Sequence, residues 1–339
     1  MRAQLSEMWE KSAALFPLRV LRWLTRFPGI GAILGTLIIF SVFSGLSGGK
    51  FVKVDTIASI LALASETGMV VLGLVVALCA GVIDLSVGSV YAAAALFWVD
   101  LSQRVGFAPW ILIFAMLAGA AGCGAINGLI TTKYNVPAMI VTLGMMFVLR
   151  GSLYLATGGF PRSFGTYQNV VFDILAGRIG GSQFRYSIFW LAAIIIILYI
   201  IIYHTRFGNH LLASGGNPEF ARLMGVDVGR VQTVAFILSS TLAAFGGIIS
   251  ASRFRMVAVT HGEGLELVAV AAAVMGGTLL TGGFTSLLGV VAGILLVSGI
   301  RTGLLLVGVP GHWYIVFIGL VLIIAAIFNM VWHKTWVKG

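Results

Sequence analysis

A few ionisable residues lie inside long apolar stretches of the sequence, and their chemistry needs an explanation. Glu66 and Arg150 lie well within apolar segments, and Glu263 and Glu266 open another. A charge at the centre of a lone membrane-spanning helix costs about 2.5–3.5 kcal/mol, so such residues usually face a cavity or a partner. Glu66 therefore either borders a polar path or is a structural carboxylate hydrogen-bonded to a neighbouring helix. Arg150 can instead pair with a carboxylate and lock helices together.

Two further polar residues sit among small and apolar neighbours. Asp84, in the sequence IDLSVGS, can cap a helix that begins at Leu85, with Ser86 and Ser89 assisting. Asn127, in GAINGLI, is a lone amide that either bridges helices or lines a path. The residues that we assign to a translocation path or to its gating are Glu66, Asp84, Ser86, Asn127, Arg150 and Glu266.

Motifs of known enzymes and metal sites are missing from the sequence. It contains no GxxxxGK[ST], HExxH or GxSxG and no Cys/His metal spacing. We therefore expect no catalytic residue, no metal site and no cofactor bound by this chain. Cys79 and Cys123 both lie in apolar runs and are interpreted as small buried hydrophobic residues.

Composition indicates what must position these residues. The chain has 339 residues, of which 59% are hydrophobic and 9% charged. Soluble domains carry about 25% charged residues, so this composition predicts an all-α polytopic membrane protein. The net charge of +10 comes from basic residues scattered at the edges of apolar segments, which argues for membrane anchoring and against nucleic-acid binding.

Hydropathy divides the chain into a short first segment and one membrane domain. Residues 1–28 interleave basic and aromatic residues and are predicted to form a cytoplasmic amphipathic segment, and residues 29–339 form the transmembrane domain. About ten spans are predicted, with both termini in the cytoplasm. Their ranges are 30–47, 56–80, 85–102, 109–132, 136–158, 187–205, 231–252, 265–281, 284–304 and 312–332.

This arrangement assigns each loop to a side of the membrane. The polar loop 206–230 lies inside, and the longest external segment is 159–186, with a short helix expected around Val170–Ala176. Two glycine-rich runs, GVIDLSVG at 81–88 and GGTLLTGGFTSLLG at 276–289, join apolar segments with almost no loop. Such interrupted helices in corresponding halves point to internal repeats in transporters.

The loop 206–230 contains a short helix with its own start and stop signals. Asn217 is a good N-cap, Pro218 suits the first helical position, and Gly225 suits the left-handed position after the end. The face shared by residues at i, i+3 and i+4 is apolar. That face is Phe220, Leu223 and Met224, with Glu219 and Arg222 pointing elsewhere.

Four stretches of the sequence carry a family resemblance. They are GVIDLSVGS at 81–89, NVPAMIVTLGMMFVLRG at 135–151, ASGGNPEFARLMGV at 213–226 and VMGGTLLTGG at 274–283. Together, in this order and spacing, they resemble the permeases of bacterial ABC importers for monosaccharides, of the ribose, xylose and arabinose type. These are related more distantly to branched-chain amino-acid permeases. The resemblance runs from about Thr56 onward, and Val82 stands where the family usually has glycine.

The resemblance implies an inner-membrane permease that makes no chemical change. It implies two cytoplasmic ATPase subunits that bind ATP and magnesium, a periplasmic sugar-binding protein, and a second permease subunit, identical or related. The segment implied to couple to the ATPase comprises Gly215, Gly216, Asn217, Pro218, Glu219, Phe220, Arg222, Leu223, Met224 and Gly225. The alternative is a stand-alone secondary transporter or channel for a small polar solute. The sequence does not identify the sugar.

Overall fold

The computed structural model describes residues 29–104 and 107–323, and these ranges are mostly helical. The predicted segment 1–28, the second part of the last predicted span and the C-terminal residues lie outside the described residues. The helices are α1 Ile30–Leu46, α2 Val54–Cys79, α3 Val87–Arg104, α4 Pro109–Lys133, α5 Ala138–Thr157, α6 Val170–Ala176, α7 Ser187–His204, α8 Arg206–Gly216, α9 Pro218–Leu223, α10 Val228–Phe254, α11 Leu265–Met275, α12 Leu287–Leu306 and α13 His312–Ile323.

Six helices in the described part of the chain are long and apolar enough to cross a bilayer. They are α2, α4, α5, α7, α10 and α12. This arrangement is that of a polytopic membrane protein, as predicted, while the count of ten spans and the side of each terminus stay predictions. The predicted span 265–281 was too long, because α11 ends at Met275 and Gly277 has a φ of +87°. The predicted start at Leu85 was also wrong, since α3 begins at Val87.

Helices α2 and α10 form the centre of the bundle. α10 packs against α2, α3 and α4, and α12 packs against α1 and α2. In α2, 89% of the apolar stretch is buried, whereas the figure for α5 is 11%. α5 therefore presents most of its apolar surface to the outside of this chain.

Three stretches of non-helical backbone interrupt the bundle, and we name them by position. Break 1 (80–86) joins α2 to α3, break 2 (255–264) joins α10 to α11, and break 3 (276–286) joins α11 to α12. α11 has 11 residues and is therefore about 16 Å long, roughly half the hydrocarbon thickness of a bilayer. It thus resembles half of a broken helix.

The loop between α5 and α7 has its own structure. The short helix predicted around Val170–Ala176 is present, and the Asn169 side chain caps it by accepting from Val171 N at 2.9 Å. Residues Arg162–Ser163 (β1) pair antiparallel with Met256–Val257 (β2). This pairing ties the loop to break 2.

Candidate functional site

The segment 206–225 folds into two helices where the sequence predicted one. The predicted helix is α9, and Asn217 caps it by accepting from Phe220 N at 3.0 Å. Pro218 is its first residue, and Gly225 adopts a φ of +83°, as its pattern predicts. α8, which precedes it, was not predicted. It packs against α2, α7 and α10, and this tertiary packing outweighs the low helix propensity of its glycines.

The apolar face of α9 is exposed. Phe220 is 60% exposed, Leu223 84% and Met224 70%, while Ala221 on the opposite side is 2% exposed and holds the helix to the protein. Three adjacent apolar side chains on one turn and a half of helix are unlike the usual polar exterior of a loop. This face can therefore receive a partner.

The C-terminal end of α8 packs directly against breaks 1 and 3 through five glycines, which we name the glycine hub. Its members are Gly81, Gly215, Gly216, Gly282 and Gly283. A Cβ added to Gly282, which has a φ of +89°, would lie 2.7 Å from Gly81 Cα and 2.9 Å from Gly215 Cα. A Cβ on Gly215 would clash with Cys79 O and Gly283 N, and Gly283 N already donates to Cys79 O at 3.1 Å. Backbone therefore meets backbone at this point, with no side chain between.

The starts of α3 and α11 meet inside the bundle, at what we name the helix-start junction: Gly88, Arg150, Gly262 and Glu266. A Cβ on Gly262 would lie 2.6 Å from Gly88 O, and a Cβ on Gly88 would clash with Glu266 Oε2. Arg150 donates to the carbonyl oxygens of Val259 at 2.6 Å, His261 at 3.0 Å and Gly88 at 3.4 Å. The structure thus gives Arg150 a different partner from the predicted carboxylate, because its guanidinium fixes break 2 through backbone oxygens.

Glu66 has a buried partner that the sequence did not indicate. Its Oε1 accepts from Arg253 Nη1 at 2.8 Å, and the two side chains are 3% and 17% exposed. Of the two roles considered for Glu66, this geometry matches the structural carboxylate bonded to a neighbouring helix. Arg185, in the loop before α7, belongs to the same neighbourhood: burial lowers its pKa, and the charges of Arg253 and Arg178 lower it further.

Asp84 lies in break 1 and is completely buried. Its Oδ1 accepts from Ser86 N at 3.0 Å and from Ser86 Oγ at 2.6 Å, and Asn127 Nδ2 donates to Ser86 Oγ at 3.1 Å. The sequence predicted that Asp84 would accept from the first amides of a helix. It instead holds Ser86, the residue before α3, through two hydrogen bonds. Asn127 does bridge two segments, which was one of the two roles considered for it.

The six predicted path or gating residues thus fall into three separate places. Glu66 pairs with α10, Arg150 and Glu266 share the helix-start junction, and Asp84, Ser86 and Asn127 form a buried chain of hydrogen bonds. A cleft of about 280 Å³ between α3, α4 and α5 touches none of them. Its lining, which includes Ala94, Phe97 and Met116, is apolar and offers a sugar no hydrogen bonds.

Sequence reasoning missed several residues that the structure brings to these places. Arg253 lies one residue beyond the predicted span 231–252, and its position in the sequence does not indicate that it pairs with Glu66. His261 lies just before the predicted span 265–281, and no motif in the sequence singles it out. Its Nε2 lies 3.0 Å from Ser250 Oγ, and its ring stacks on Tyr91 with centroids 5.1 Å apart.

Comparisons with known proteins agree with this architecture. The family model described as branched-chain amino acid transport system / permease component matches residues 56–326. The ribose import permease protein RbsC of Escherichia coli (strain K12) is 31% identical over 303 residues, which cover 87% of this chain and 92% of that protein.

Two further relatives have the same level of identity. The fructose import permease protein FrcC of Rhizobium meliloti is 31% identical and covers 86% of this chain and 81% of its own length. The galactose/methyl galactoside import permease protein MglC of Haemophilus influenzae is 31% identical, and the match covers 81% of this chain and 86% of that protein. No solved structure matches the chain.

The glycine hub gives a first testable prediction. Gly215→Ala introduces a Cβ that meets backbone atoms on two sides, and such overpacking is expected to destabilise the protein by about 1–3 kcal/mol. Gly216→Ala is the matched control, because a Cβ there lies 3.7 Å from Gly283 Cα, an ordinary contact. Melting temperatures of the purified variants in detergent provide the measurement. Equal values for both variants would contradict the close approach at Gly215.

The Glu66–Arg253 pair gives a second prediction. Glu66→Gln leaves the Arg253 charge buried without a counter-charge, and we expect a loss of about 3 kcal/mol. The double variant Glu66→Gln with Arg253→Gln is expected to recover most of the loss. Asp100→Asn breaks two more exposed pairs, with Arg104 and with Arg162, and serves as the control, with an expected cost of about 1 kcal/mol. Additive losses in the double variant would show that the two groups do not interact.

Proposed function

This chain belongs to the branched-chain amino acid transport system permease component family, and we propose that it is the membrane-spanning permease subunit of an ATP-driven importer for a monosaccharide. Three relatives named as ribose, fructose and galactose import permeases, each about 31% identical over most of the chain, support the substrate class. The protein makes no chemical change to the sugar; it exposes it alternately to the two sides of the membrane.

We propose that the chain crosses the bacterial inner membrane about ten times, with both termini in the cytoplasm. Six of these spans are the long helices already described. α1, α3, α11 and the helix that begins at His312 supply the others, with α11 completing a crossing together with break 2. In this orientation α8 and α9 lie on the cytoplasmic side and the loop carrying α6 lies outside.

The observation that carries the proposal is the exposed apolar face of α9. Transport against a gradient needs an energy source, and the sequence has no phosphate-binding loop of its own. We propose that Phe220, Leu223 and Met224 insert into a groove of an ATPase subunit that binds ATP and magnesium. The neighbouring members of the segment, from Gly215 to Gly225, hold this face in position.

A displacement of α9 can be passed to the membrane domain through α8. Asn217 follows α8 directly, and α8 ends in the glycine hub, where it contacts breaks 1 and 3 at once. Backbone segments in direct contact are expected to move together, because no flexible side chain lies between them to absorb the displacement. ATP binding by the partner would therefore shift both breaks together and change the balance between the two states of the permease.

The polar residues take separate roles in this mechanism. Arg150 and Glu266 are partly exposed, and we propose that they border the sugar path at the helix-start junction. Asp84, Ser86 and Asn127 are completely buried and act in gating, because a change at break 1 would rearrange their hydrogen bonds. Outside, the segment 159–186 receives a sugar-loaded binding protein, and a second permease subunit completes the channel.

The function is tested by separating the two possible energy sources. Vesicles containing the permease, its ATPase subunit and the binding protein are expected to accumulate sugar with ATP and to show no uptake driven by a proton gradient alone. Uptake under the gradient without ATP would instead favour a stand-alone secondary transporter.

The same vesicles test the docking face. Leu223→Asp and Phe220→Asp each bury a charge in the expected groove and should lower ATP-driven uptake at least about tenfold, as expected for a buried unpaired charge. Val52→Asp is the control, since Val52 is also an exposed apolar residue, 55% exposed, but lies in the loop between α1 and α2, which has no part in the proposed docking. Full uptake and full co-purification of the ATPase with Leu223→Asp would reject this docking face.

The cap of α9 gives a further prediction. Asn217→Ala removes the acceptor for Phe220 N and should destabilise the start of α9 by about 1 kcal/mol. We expect the variant to insert normally but to show weaker stimulation of ATP hydrolysis by the loaded binding protein. Asp227→Ala removes the equivalent cap of α10, where Asp227 accepts from Arg230 N at 3.0 Å, and is expected to leave hydrolysis unchanged. Unaltered coupling in Asn217→Ala would remove the role assigned to this cap.

A further inference from the structure

The apolar cleft between α3, α4 and α5 has no role in the proposed transport mechanism. Its volume is about 280 Å³, and small residues on two helices create this space. They are Ala93 and Ala94 on α3, and Ala115, Gly119 and Ala120 on α4. A Cβ added to Gly119 would meet no heavy atom within 4 Å, so α3 and α4 leave room for an occupant at this position.

The cleft opens towards the lateral surface of the bundle. Phe97, which lines it on α3, is 45% exposed, and Ala115 and Gly119 on α4 are exposed as well. The third wall is α5, which has only 11% of its apolar stretch buried. In a membrane protein, a lateral apolar opening at this depth faces hydrocarbon, so its occupant must be apolar there.

The length of the cleft matches one leaflet of a bilayer. Its lining on α3 extends from Val90 to Leu101, which is about 16 Å of helix. Half of the hydrocarbon core is about 15 Å thick, whereas a membrane-spanning helix of a second subunit would need a groove along the whole core. The cleft is also smaller than one helical turn, which occupies about 400 Å³ at a diameter of about 10 Å. A single acyl chain therefore fits the cleft, and a helix does not.

One end of the cleft carries an excess of positive charge. Arg104 lies on the same face of α3 as Phe97 and Leu101, because their spacing is i, i+4 and i+7. Asp100 lies 3.7 Å from both Arg104 and Arg162. These two guanidinium groups share one carboxylate, which leaves one positive charge, and the Arg104 side chain is 67% exposed. A guanidinium at this position can bind a phosphate through charge-assisted hydrogen bonds.

We propose that the cleft binds one anionic phospholipid. One acyl chain lies between α3 and α4 against the small residues, and the phosphate contacts Arg104. The excess positive charge favours a lipid with a net negative charge, such as phosphatidylglycerol, over the zwitterionic phosphatidylethanolamine. The lipid belongs to the leaflet on the side of the loop between α5 and α7, which is the outer leaflet in the proposed orientation.

Native mass spectrometry of the full-length chain, delipidated in detergent, tests the headgroup site. Phosphatidylglycerol and phosphatidylethanolamine with identical acyl chains are titrated separately. We expect one phosphatidylglycerol per chain to bind about fivefold more tightly than phosphatidylethanolamine, as expected for one charge contact near a membrane surface. Arg104→Gln is expected to remove this preference. Arg178→Gln replaces an exposed arginine in the loop between α5 and α7 and should leave the preference unchanged.

Two glycines of α4 test the position of the acyl chain. Gly119→Leu is expected to weaken phosphatidylglycerol binding at least about tenfold, because the leucine occupies space that several methylene groups of the lipid would fill. Gly122→Leu is the matched control. Gly122 is also exposed, and a Cβ there also meets no heavy atom within 4 Å, but it lies outside the cleft lining.

Several results would overturn the proposal. Equal affinities for Gly119→Leu and Gly122→Leu would reject the position of the acyl chain, and equal binding of the two lipids by the wild-type chain would reject the phosphate site. The same spectra show how many chains each complex contains. If Gly119→Leu separates dimers but leaves lipid binding unchanged, the cleft receives a second copy of the chain instead of a lipid.

The test stays decisive if one variant is lost. If Gly119→Leu fails to insert, Arg104→Gln changes only an exposed side chain and still compares the two lipids. Because the assay contains no ATPase, no binding protein and no sugar, its result is independent of whether the chain transports a monosaccharide.

Discussion

Backbone that leaves the helical conformation inside an apolar bundle must find hydrogen-bond partners within the protein, and this constraint governs the structure. In break 1, Gln232 Nε2 donates to Ala80 O at 3.3 Å. In break 2, Arg150 donates to two carbonyl oxygens. In break 3, Tyr203 donates to Thr285 O at 2.9 Å and accepts from Leu287 N at 3.3 Å. Each interruption therefore depends on a polar side chain from another helix.

The same constraint explains why charged and small residues occur together here. A guanidinium such as that of Arg150 can satisfy several carbonyls at once, so one buried charge serves as the support of a whole loop. Glycines at the hub let breaks 1 and 3 contact α8 without side chains, which shields their backbone from lipid. In this arrangement the end of α8 contacts two breaks at one point.

Agreement between sequence and structure depends on how local each feature is. The cap at Asn217 and the helix Val170–Ala176 were predicted correctly, because their hydrogen bonds form between residues only two or three positions apart. The predicted end of the span 265–281 was wrong, because hydropathy continues through Leu279 and Leu280 after the helix has stopped at Met275. α8 was missed because its stability comes from packing against other helices.

By itself, the sequence determined the class of protein, the positions of the main apolar helices and the exposed apolar face of α9. These follow from composition, hydropathy and the helical period, which are properties of neighbouring residues. Only the tertiary structure decided that Glu66 pairs with Arg253, 187 positions away, that Arg150 binds carbonyl oxygens, and that five distant glycines meet at one point. Such partners depend on how the helices pack, and hydropathy carries no information about which polar groups will face each other once water is excluded.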